Sequence, residues 1–302
     1  MKIAFIVNHV FEGWEPDDIR LGGTEESVVK WSEEFVKLGH DVTVHRNSRS
    51  PEAPARIYNG VHYTARAIGA DADVTFNFKS HDIAPIGRTL YLTNDTNANE
   101  QDLSAYECVI WPSQWAKEHI KVNNPNVLVI PHGYDPDKIY PERKLPKSVL
   151  YASSPDRGLD DLVSVWPEVV EHHPDAMLFV TYGAKPRDIP NALFLGDVSE
   201  DDMNDLYKTT DIWCHPCNGG ELFGITAIKA QAAGCVPVYY PTMALRETVQ
   251  SGVRSSHNSL AGDLIRTLGN DSLKAAIRED LLTKTFPTWE STAKGLEALV
   301  LK

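Results

Sequence analysis

Short apolar runs and amphipathic stretches alternate along almost the whole chain. The apolar runs that fit buried strands lie at 2–7, 41–44, 73–78, 89–93, 108–111, 127–130, 148–152, 176–181, 192–195, 211–214 and 235–239. The stretches with helical spacing of apolar residues lie at 25–38, 113–122, 158–172, 200–208, 222–233, 259–268 and 271–283. Strands and helices in alternation are typical of parallel sheets built from βαβ units. The pattern therefore predicts an α/β protein with parallel sheets.

A charged segment with two prolines, Pro141-Glu-Arg-Lys-Leu-Pro-Lys147, interrupts this alternation. Such a composition is typical of a connector between domains, and a chain of 302 residues is long enough for two hydrophobic cores. We therefore expect an N-terminal Rossmann-like domain over residues 1–143 and a second domain over 144–284. Residues 285–302, which open with Thr285-Phe-Pro-Thr-Trp-Glu290, are predicted to form a last helix.

The composition is that of a globular protein, with 42% hydrophobic and 24% charged residues. The formal net charge of −13 argues against a broad surface for nucleic acid or anionic membrane, since both need clustered Lys and Arg. No apolar run approaches the ~20 residues of a membrane span, and the run at 2–7 is too short for the core of a signal peptide. With only four cysteines in the chain, a reducing, cytoplasmic location is expected.

One pair of cysteines has the spacing of a metal or redox motif, Cys214-His-Pro-Cys217. A single pair of this kind lacks enough ligands for a structural zinc site unless His215 and a distant residue contribute. Asp211-Ile-Trp-Cys214 has instead the pattern of a buried strand, which favours a core position for Cys214. No bound metal is therefore expected.

The segment Asn218-Gly-Gly-Glu-Leu-Phe-Gly-Ile225 reads as a glycine turn and a carboxylate that lead into a helix. At a helix start, the backbone N–H groups of Leu222, Phe223 and Gly224 would have no intrahelical partner, and the helix dipole adds positive potential. A diphosphate is expected to bind there. Glu221 would repel a phosphate, so we expect it to accept hydrogen bonds from sugar hydroxyls. The alternative is a plain N-terminal turn with an acid favoured by the dipole.

The chain resembles a known family in Glu221-Leu-Phe-Gly-Ile225 and the following Ala230-Gln-Ala-Ala-Gly-Cys-Val-Pro-Val238. Together they resemble the donor-site signature of retaining GT-B glycosyltransferases, in the group of sucrose and mannosyl transferases (family 4). The resemblance implies two Rossmann-like domains, with a C-terminal helix that crosses back to the first. It also implies sugar transfer, with retention and without a cofactor or metal, from a UDP- or GDP-type nucleotide sugar to a hydroxyl of a glycan or small molecule. Glu221 matches the catalytic-site glutamate that addresses the donor sugar.

A second glutamate usually follows the first by eight residues in this family and accepts hydrogen bonds from the nucleotide ribose. That position is Lys229 here. Eight helical residues make just over two turns, so Glu221 and Lys229 are predicted to share one helix face, about 12 Å apart along the axis. A lysine can donate to a ribose oxygen but cannot accept from both hydroxyls. Lys229 is therefore a predicted donor-site residue that departs from the family pattern.

Other segments resemble the parts of the family that bind the diphosphate and the base. The first βα turn, with Gly22 and Gly23, resembles the turn that closes over the donor diphosphate. Ser153 lies in a shortened version of the phosphate-binding loop, and Arg157 matches its second basic residue. Val198 opens a segment that resembles the one whose backbone contacts the base.

Arg157 has two interpretations. A guanidinium can bind phosphate oxygens through two parallel N–H groups, as the resemblance implies. Alternatively, Arg157 is a solvated turn residue that pairs with Asp156 or Asp160.

Two positions in the first domain also match the family. Many members have a histidine below the reacting carbon, and the comparable segment here places Asp95, or less readily Asn94, at that position. Asp95 is thus a candidate catalytic residue, and the alternative is an aspartate that caps an Asx-turn at the strand end. The block Pro131-His-Gly-Tyr-Asp135 resembles the end of the first domain in the family, and His132 is expected to be a satisfied histidine at the hinge.

Two other functions remain open at this point. The acceptor of the same chemistry could be a hydroxymethylated base in DNA, which the acidic charge disfavours. The chain could also be a nucleotide-sugar-binding protein without turnover, since Lys229 and the missing first basic residue depart from the family pattern.

Overall fold

The structure, a computed structural model, describes residues 1–7, 13–47, 54–65, 71–80, 83–85 and 87–301. The chain divides into two compact units. The first consists of Met1–Gly133 with Pro287–Lys302, and the second of Tyr134–Phe286. The boundaries expected from the sequence lay at 143/144 and 284/285.

The first unit is built on a mostly parallel sheet of strand order β3-β4-β2-β1-β5-β6-β7-β8. Its strands are β1 (Lys2–Val7), β2 (Asp41–Arg46), β3 (Arg56–Tyr58), β4 (Val61–Ala65), β5 (Val74–Phe78), β6 (Thr89–Leu92), β7 (Val109–Trp111) and β8 (Val127–Val129). Its helices are α1 (Gly23–Lys37), α2 (Gln114–His119), a 3-10 turn (Ala98–Glu100) and the C-terminal helix (Trp289–Val300). The pair β3–β4 is antiparallel, and every other neighbouring pair in this order is parallel.

The C-terminal helix is part of the first unit because its side chains bind α1 and the loop after it. The Trp31 indole N–H donates to Thr292 Oγ1 at 2.8 Å. His40 Nε2 lies 2.8 Å from a Glu297 carboxylate oxygen. A capping box between Thr288 and Ser291 fixes the start of this helix.

The second unit is built on a fully parallel sheet of strand order β11-β10-β9-β12-β13-β14. Its strands are β9 (Leu145–Tyr151), β10 (Met177–Thr181), β11 (Ala192–Gly196), β12 (Thr210–His215), β13 (Val236–Tyr239) and β14 (Val253–Arg254). Its helices are α3 (Leu159–His172), α4 (Glu200–Thr209), α5 (Ile225–Ala232), α6 (Leu245–Thr248), α7 (Leu260–Leu268) and α8 (Asp271–Leu282). The parallel α/β architecture predicted from the sequence is therefore confirmed.

Several short elements were not predicted. The hairpin β3–β4, the two-residue strand β14 and the single-turn helix α6 are each too short for a clear period in the sequence. Leu145–Lys147 lies in β9, although the charged composition had assigned it to the linker. This part of the strand pairs with the start of β12, so backbone hydrogen bonding outweighs the polar side chains.

A buried ion cluster joins three elements of the second unit around Asp211, whose side chain is 3% exposed. Lys274 Nζ on α8 lies 2.8 Å from Asp211 Oδ2, and the Arg278 guanidinium donates to Oδ1. The Lys147 N–H on β9 donates to Oδ2 at 3.1 Å. Buried charges of this kind are tolerated when they are paired and hydrogen-bonded. Over the described ranges, no helix has the length and apolar character that crossing a bilayer requires.

Candidate functional site

The loop from Pro216 to Gly224 connects the carboxyl end of β12 to α5 and carries Glu221. Gly220 and Gly224 have φ angles of 79° and 84°, in the left-handed region that favours glycine. Gly224 is the N-cap of α5, so the helix begins only at Ile225. The prediction of a helix from residue 222 is therefore wrong at its start, because the left-handed Gly224 cannot belong to a right-handed helical turn.

This correction changes which groups can bind an anion. Leu222 and Phe223 are buried side chains of the loop rather than residues of the first helical turn. The Phe223 N–H is hydrogen-bonded to the Glu221 carboxylate and does not point to a ligand. The first turn of α5 instead starts with the N–H groups of Ile225 and Thr226, and the Ala227 N–H binds the Gly224 carbonyl at 2.9 Å.

Glu221 has an environment that favours its ionised form. Its side chain is 20% exposed, and one carboxylate oxygen lies 3.7 Å from Nε2 of His215. Burial alone would raise the pKa of Glu221, but the His215 imidazole, the charge of Arg157 and the Phe223 N–H outweigh it and lower the pKa. The result is a partly buried carboxylate that can accept hydrogen bonds near neutral pH.

His215 is a site residue that sequence reasoning considered only as a zinc ligand. It ends β12, is fully buried, and stacks on Trp213 with ring centroids 4.9 Å apart. Burial alone would lower the pKa of His215, but Cys217 and Glu221 outweigh it and raise the pKa. The signal in the sequence was a polar residue at the end of an otherwise apolar strand, six residues before the glutamate.

Cys217 lies beside His215, whereas Cys214 is in the core. The Cys217 Sγ donates to the Gly219 carbonyl at 3.1 Å. Burial raises the pKa of a thiol, but the His215 imidazole outweighs it and lowers the pKa of Cys217. Cys214 is fully buried and its pKa is raised by burial, which agrees with the core position expected from the sequence.

Arg157 lies against the same loop. Its Nη1 donates to the Gly219 carbonyl at 3.0 Å, and a Cβ at Gly220 would overlap the guanidinium. The side chain is 31% exposed and lies 3.6 Å from Asp156, whereas Asp160 pairs with Arg187. Arg157 therefore lies at the loop of Glu221, as the phosphate-binding interpretation requires. It also has the weak pair with Asp156 that the interpretation as a solvated turn residue predicts.

Ser153 and Val198 follow other strands of the second unit. Ser153 is half-buried in the turn between β9 and α3, in the same turn as Arg157. Val198 is half-buried in the turn between β11 and α4, just before Ser199, whose hydroxyl caps α4. Ser153, Arg157 and Val198 therefore all lie beyond the carboxyl ends of strands in one parallel sheet. This is the edge at which α/β proteins bind ligands.

Lys229 lies on α5 and is 8% exposed. Lys229 and Glu221 do not share a helix face as predicted, because residues 221–224 precede the helix. Burial of the lysine stem is typical of a side chain that covers apolar surface while its ammonium seeks polar contacts.

The predicted residues of the first unit lie in two neighbouring loops. Gly22 is the N-cap of α1 and Gly23 its first residue, so the helix starts two residues earlier than expected. The Asn94 amide donates to Thr24 Oγ1 at 3.3 Å, which joins the turn at α1 to the loop after β6. Asp95 Oδ1 accepts from the Asn97 N–H at 3.0 Å. This contact forms the Asx-turn that was the alternative to a catalytic role for Asp95.

His132 is a satisfied buried histidine. Its Nδ1 lies 2.8 Å from the Ser27 hydroxyl, and its ring stacks on Trp31. This agrees with the structural role expected from the sequence.

Two Asp-x-Asp pairs occur in the chain, and the carboxylates of Asp71, Asp73 and Asp135 accept hydrogen bonds within it. Asp71 and Asp73 bind the side chain and backbone N–H of Lys2, at 2.6 and 2.8 Å. Asp135 accepts from the Asp137 N–H at 3.0 Å. Within the residues that the structure describes, no three His, Cys, Asp or Glu side chains are grouped to hold a metal ion.

Comparison with known sequences identifies the second unit. The family model of glycosyl transferases group 1 matches residues 146–279. A phosphatidyl-myo-inositol mannosyltransferase from Mycobacterium tuberculosis is 29% identical over 177 residues, which are 49% of this chain and 47% of that protein. Its counterpart from Mycobacterium leprae is 28% identical over 193 residues, 58% and 49% of the two chains. The chain thus matches about half the length of these curated relatives.

Comparison with solved structures identifies the fold. A sucrose-phosphate synthase from Thermosynechococcus elongatus superposes with a TM-score of 0.76 and 16% identity, over 99% of this chain and 98% of that one. HepE from Anabaena, solved with UDP and glucose, superposes with a TM-score of 0.74 and 14% identity, over 100% and 99%. Residues 146–279 of this protein are therefore similar to the glycosyl transferases group 1, and its two parallel α/β units have the GT-B fold.

Proposed function

We propose that this protein is a retaining glycosyltransferase that moves a sugar from a nucleotide-diphosphate sugar to a hydroxyl of a glycan or small molecule. The observation that carries the proposal is the loop between β12 and α5, where Glu221 and Arg157 lie together. A carboxylate suits the sugar hydroxyls, and a guanidinium suits the diphosphate. The likeness to mannosyltransferases supports the same reaction class.

Different residues of the second unit bind the donor sugar and the diphosphate. Glu221 accepts hydrogen bonds from the donor sugar and orients it. Arg157 and the first N–H groups of α5, at Ile225 and Thr226, stabilise the charge on the departing diphosphate. These groups supply positive potential from the protein itself, so the proposed reaction is metal-independent.

The proposed bond changes occur on one face of the sugar. The bond between the anomeric carbon and the diphosphate oxygen breaks, and its electron pair leaves with the nucleoside diphosphate. The acceptor oxygen bonds to the same face of the anomeric carbon, and its proton passes to the departing phosphate oxygen. The sugar therefore keeps its anomeric configuration, and no residue of the protein is covalently modified.

A panel of UDP-, GDP- and ADP-sugars tests this function. The purified full chain is incubated with each donor, with and without sugar acceptors, and release of nucleoside diphosphate is measured. We expect one donor to be consumed, faster with an acceptor, and proton NMR of the product to show retention. An inverted product would contradict the proposed mechanism, and no turnover of any donor would contradict the function.

A second candidate is a nucleotide-sugar-binding protein without turnover. It is favoured by Lys229, a buried lysine at the position where the family signature has its second glutamate. The same panel separates the two functions, because calorimetry would show donor binding in either case and only the enzyme would release diphosphate.

Arg157→Ala is expected to weaken binding of the free nucleoside diphosphate and to lower turnover. The substitution removes one cation and its paired N–H donors. Hydrogen bonds to a charged group contribute about 1.5–3 kcal/mol, or roughly ten- to a hundredfold in affinity. Calorimetry with UDP and GDP measures the effect, and Arg157→Lys should recover only part of it. Arg187→Ala, which removes a solvent-exposed arginine paired with Asp160, is the control. Unchanged affinity in Arg157→Ala would place the phosphate site elsewhere.

Lys229→Glu is expected to tighten binding of the nucleoside diphosphate by roughly tenfold, because a carboxylate can accept from both ribose hydroxyls. Calorimetry compares this variant with Lys229→Met, which removes the charge without adding an acceptor. A collapse of affinity in Lys229→Glu alone would mean that Lys229 binds an anionic part of the donor. Equal affinity in all three proteins would remove position 229 from the site.

A further inference from the structure

His215 combines features that a purely structural histidine rarely has. It is fully buried at the carboxyl end of β12, yet neither of its ring nitrogens has a hydrogen-bond partner in the described part of the chain. Burying an imidazole without partners costs free energy, and the great majority of buried polar side chains avoid it. Such a residue calls for a role in the loop that it faces.

The surroundings of His215 show what it acts on. Trp213 stacks on one face of the ring, and the Tyr151 ring lies 6.4 Å away. The titratable groups that face it are Glu221 and Cys217 of the following loop. The gap of 3.7 Å between Nε2 and the Glu221 carboxylate is longer than a hydrogen bond, so the two groups interact as charges in a partly buried site.

We propose that His215, in its imidazolium form, is a positioning residue that holds the Glu221 carboxylate ionised and oriented toward the donor sugar. The role rests on the proposed function, because it assigns the sugar contact to Glu221 itself. The stacking on Trp213 fixes the ring plane, so the cation stays on the buried side of the carboxylate. The exposed side of Glu221 is left to the substrate.

The charges explain why this arrangement is stable near neutral pH. A cation within about 4–6 Å favours the ionised carboxylate, and the carboxylate in turn favours the imidazolium. Arg157, in the turn that precedes α3, adds positive potential on Glu221. When the pH rises through the raised pKa of His215, the imidazolium loses its proton and the support for Glu221 disappears.

The first test measures the coupling without any turnover. The ring nitrogens of 15N-histidine-labelled protein are titrated by NMR, and the His215 signals are assigned from their loss in His215→Gln. We expect the ring to be charged at pH 7 and its pKa to fall by roughly one to three units in Glu221→Gln. A neutral His215 at pH 7, or a pKa that Glu221→Gln leaves unchanged, would overturn the inference. This titration uses the native His215, so it stands even where His215→Gln is poorly folded.

The second test uses the donor that the panel identifies. In His215→Gln we expect kcat/KM to fall about tenfold or more. We also expect wild type to lose activity as the pH rises through the pKa of His215, and this loss should be absent from the variant. His173→Gln, which replaces a histidine bound to the Ile265 carbonyl away from the loop, is the matched control. A changed melting temperature with an unchanged pH profile would assign His215 to packing alone. If wild type turns over no donor, the proposed function fails while the NMR result still decides the coupling.

Discussion

Glu221→Ala should abolish most of the activity of this protein and leave its fold nearly unchanged. The carboxylate is expected to accept hydrogen bonds from two sugar hydroxyls, and each such bond to a charged group contributes about 1.5–3 kcal/mol. Together they correspond to a loss of at least about a hundredfold in kcat/KM. The side chain is 20% exposed, and the neighbouring His215 can lose its proton when the carboxylate is removed, so we expect the melting temperature to fall far less than the activity. Steady-state kinetics with the identified donor and thermal unfolding measure the two effects.

Glu168→Ala is the control for Glu221→Ala, because Glu168 is an exposed glutamate on α3 of the same unit. Its activity and melting temperature should equal those of wild type. Losses of activity and stability in parallel in Glu221→Ala would favour a structural role for the loop carboxylate. Full activity would remove Glu221 from the site.

Asp211→Asn should have the largest effect on stability. The change keeps the shape of the side chain but removes the anion shared by Lys274 and Arg278, and Lys274 is only 4% exposed. Breaking a buried ion pair from one side typically costs about 3–5 kcal/mol, because the other charge stays buried. For a unit of this size the melting temperature should fall by roughly 6–20 °C. Differential scanning calorimetry measures it.

The control for Asp211→Asn is Asp175→Asn, which removes the exposed pair between Asp175 and Lys147. That pair should contribute less than about 1 kcal/mol. If the two variants are equally stable, the Asp211 cluster does not contribute to stability as a buried pair.

The pH dependence of Asp211→Asn follows from the pKa of the carboxyl group. Burial alone would raise the pKa of Asp211, but Lys274 and Arg278 outweigh it and hold the pKa below its ordinary value of 3.8. A lowered folded-state pKa gives stability that is present above the unfolded-state pKa and lost as the pH falls through the folded-state value. The difference between wild type and variant should therefore be constant near neutral pH and shrink below about pH 4.

The architecture and the position of the signature could be predicted from local patterns in the sequence. Apolar runs of strand length in alternation with helical stretches admit few arrangements other than parallel α/β units, because the βαβ connection covers both faces of a sheet. The spacing from Glu221 to Pro237 is local and contiguous, so it indicated the similarity to glycosyl transferases group 1 without any knowledge of packing. The start of the helix was misjudged because a glycine in a signature fits either a helix start or a left-handed turn.

The side chains that meet at the loop between β12 and α5 come from separate segments, so they could not be predicted from the sequence. Arg157 is far from Glu221 in sequence and reaches its loop because β9 and β12 are adjacent in the sheet. His215 was ambiguous in the sequence, since a polar residue at a strand end fits a turn, a metal ligand or a buried pair equally well. Its stacking on Trp213 and its distance to Glu221 depend on how strand and loop pack. Contacts between separated segments are fixed by the packing of the whole unit, and no local pattern encodes them.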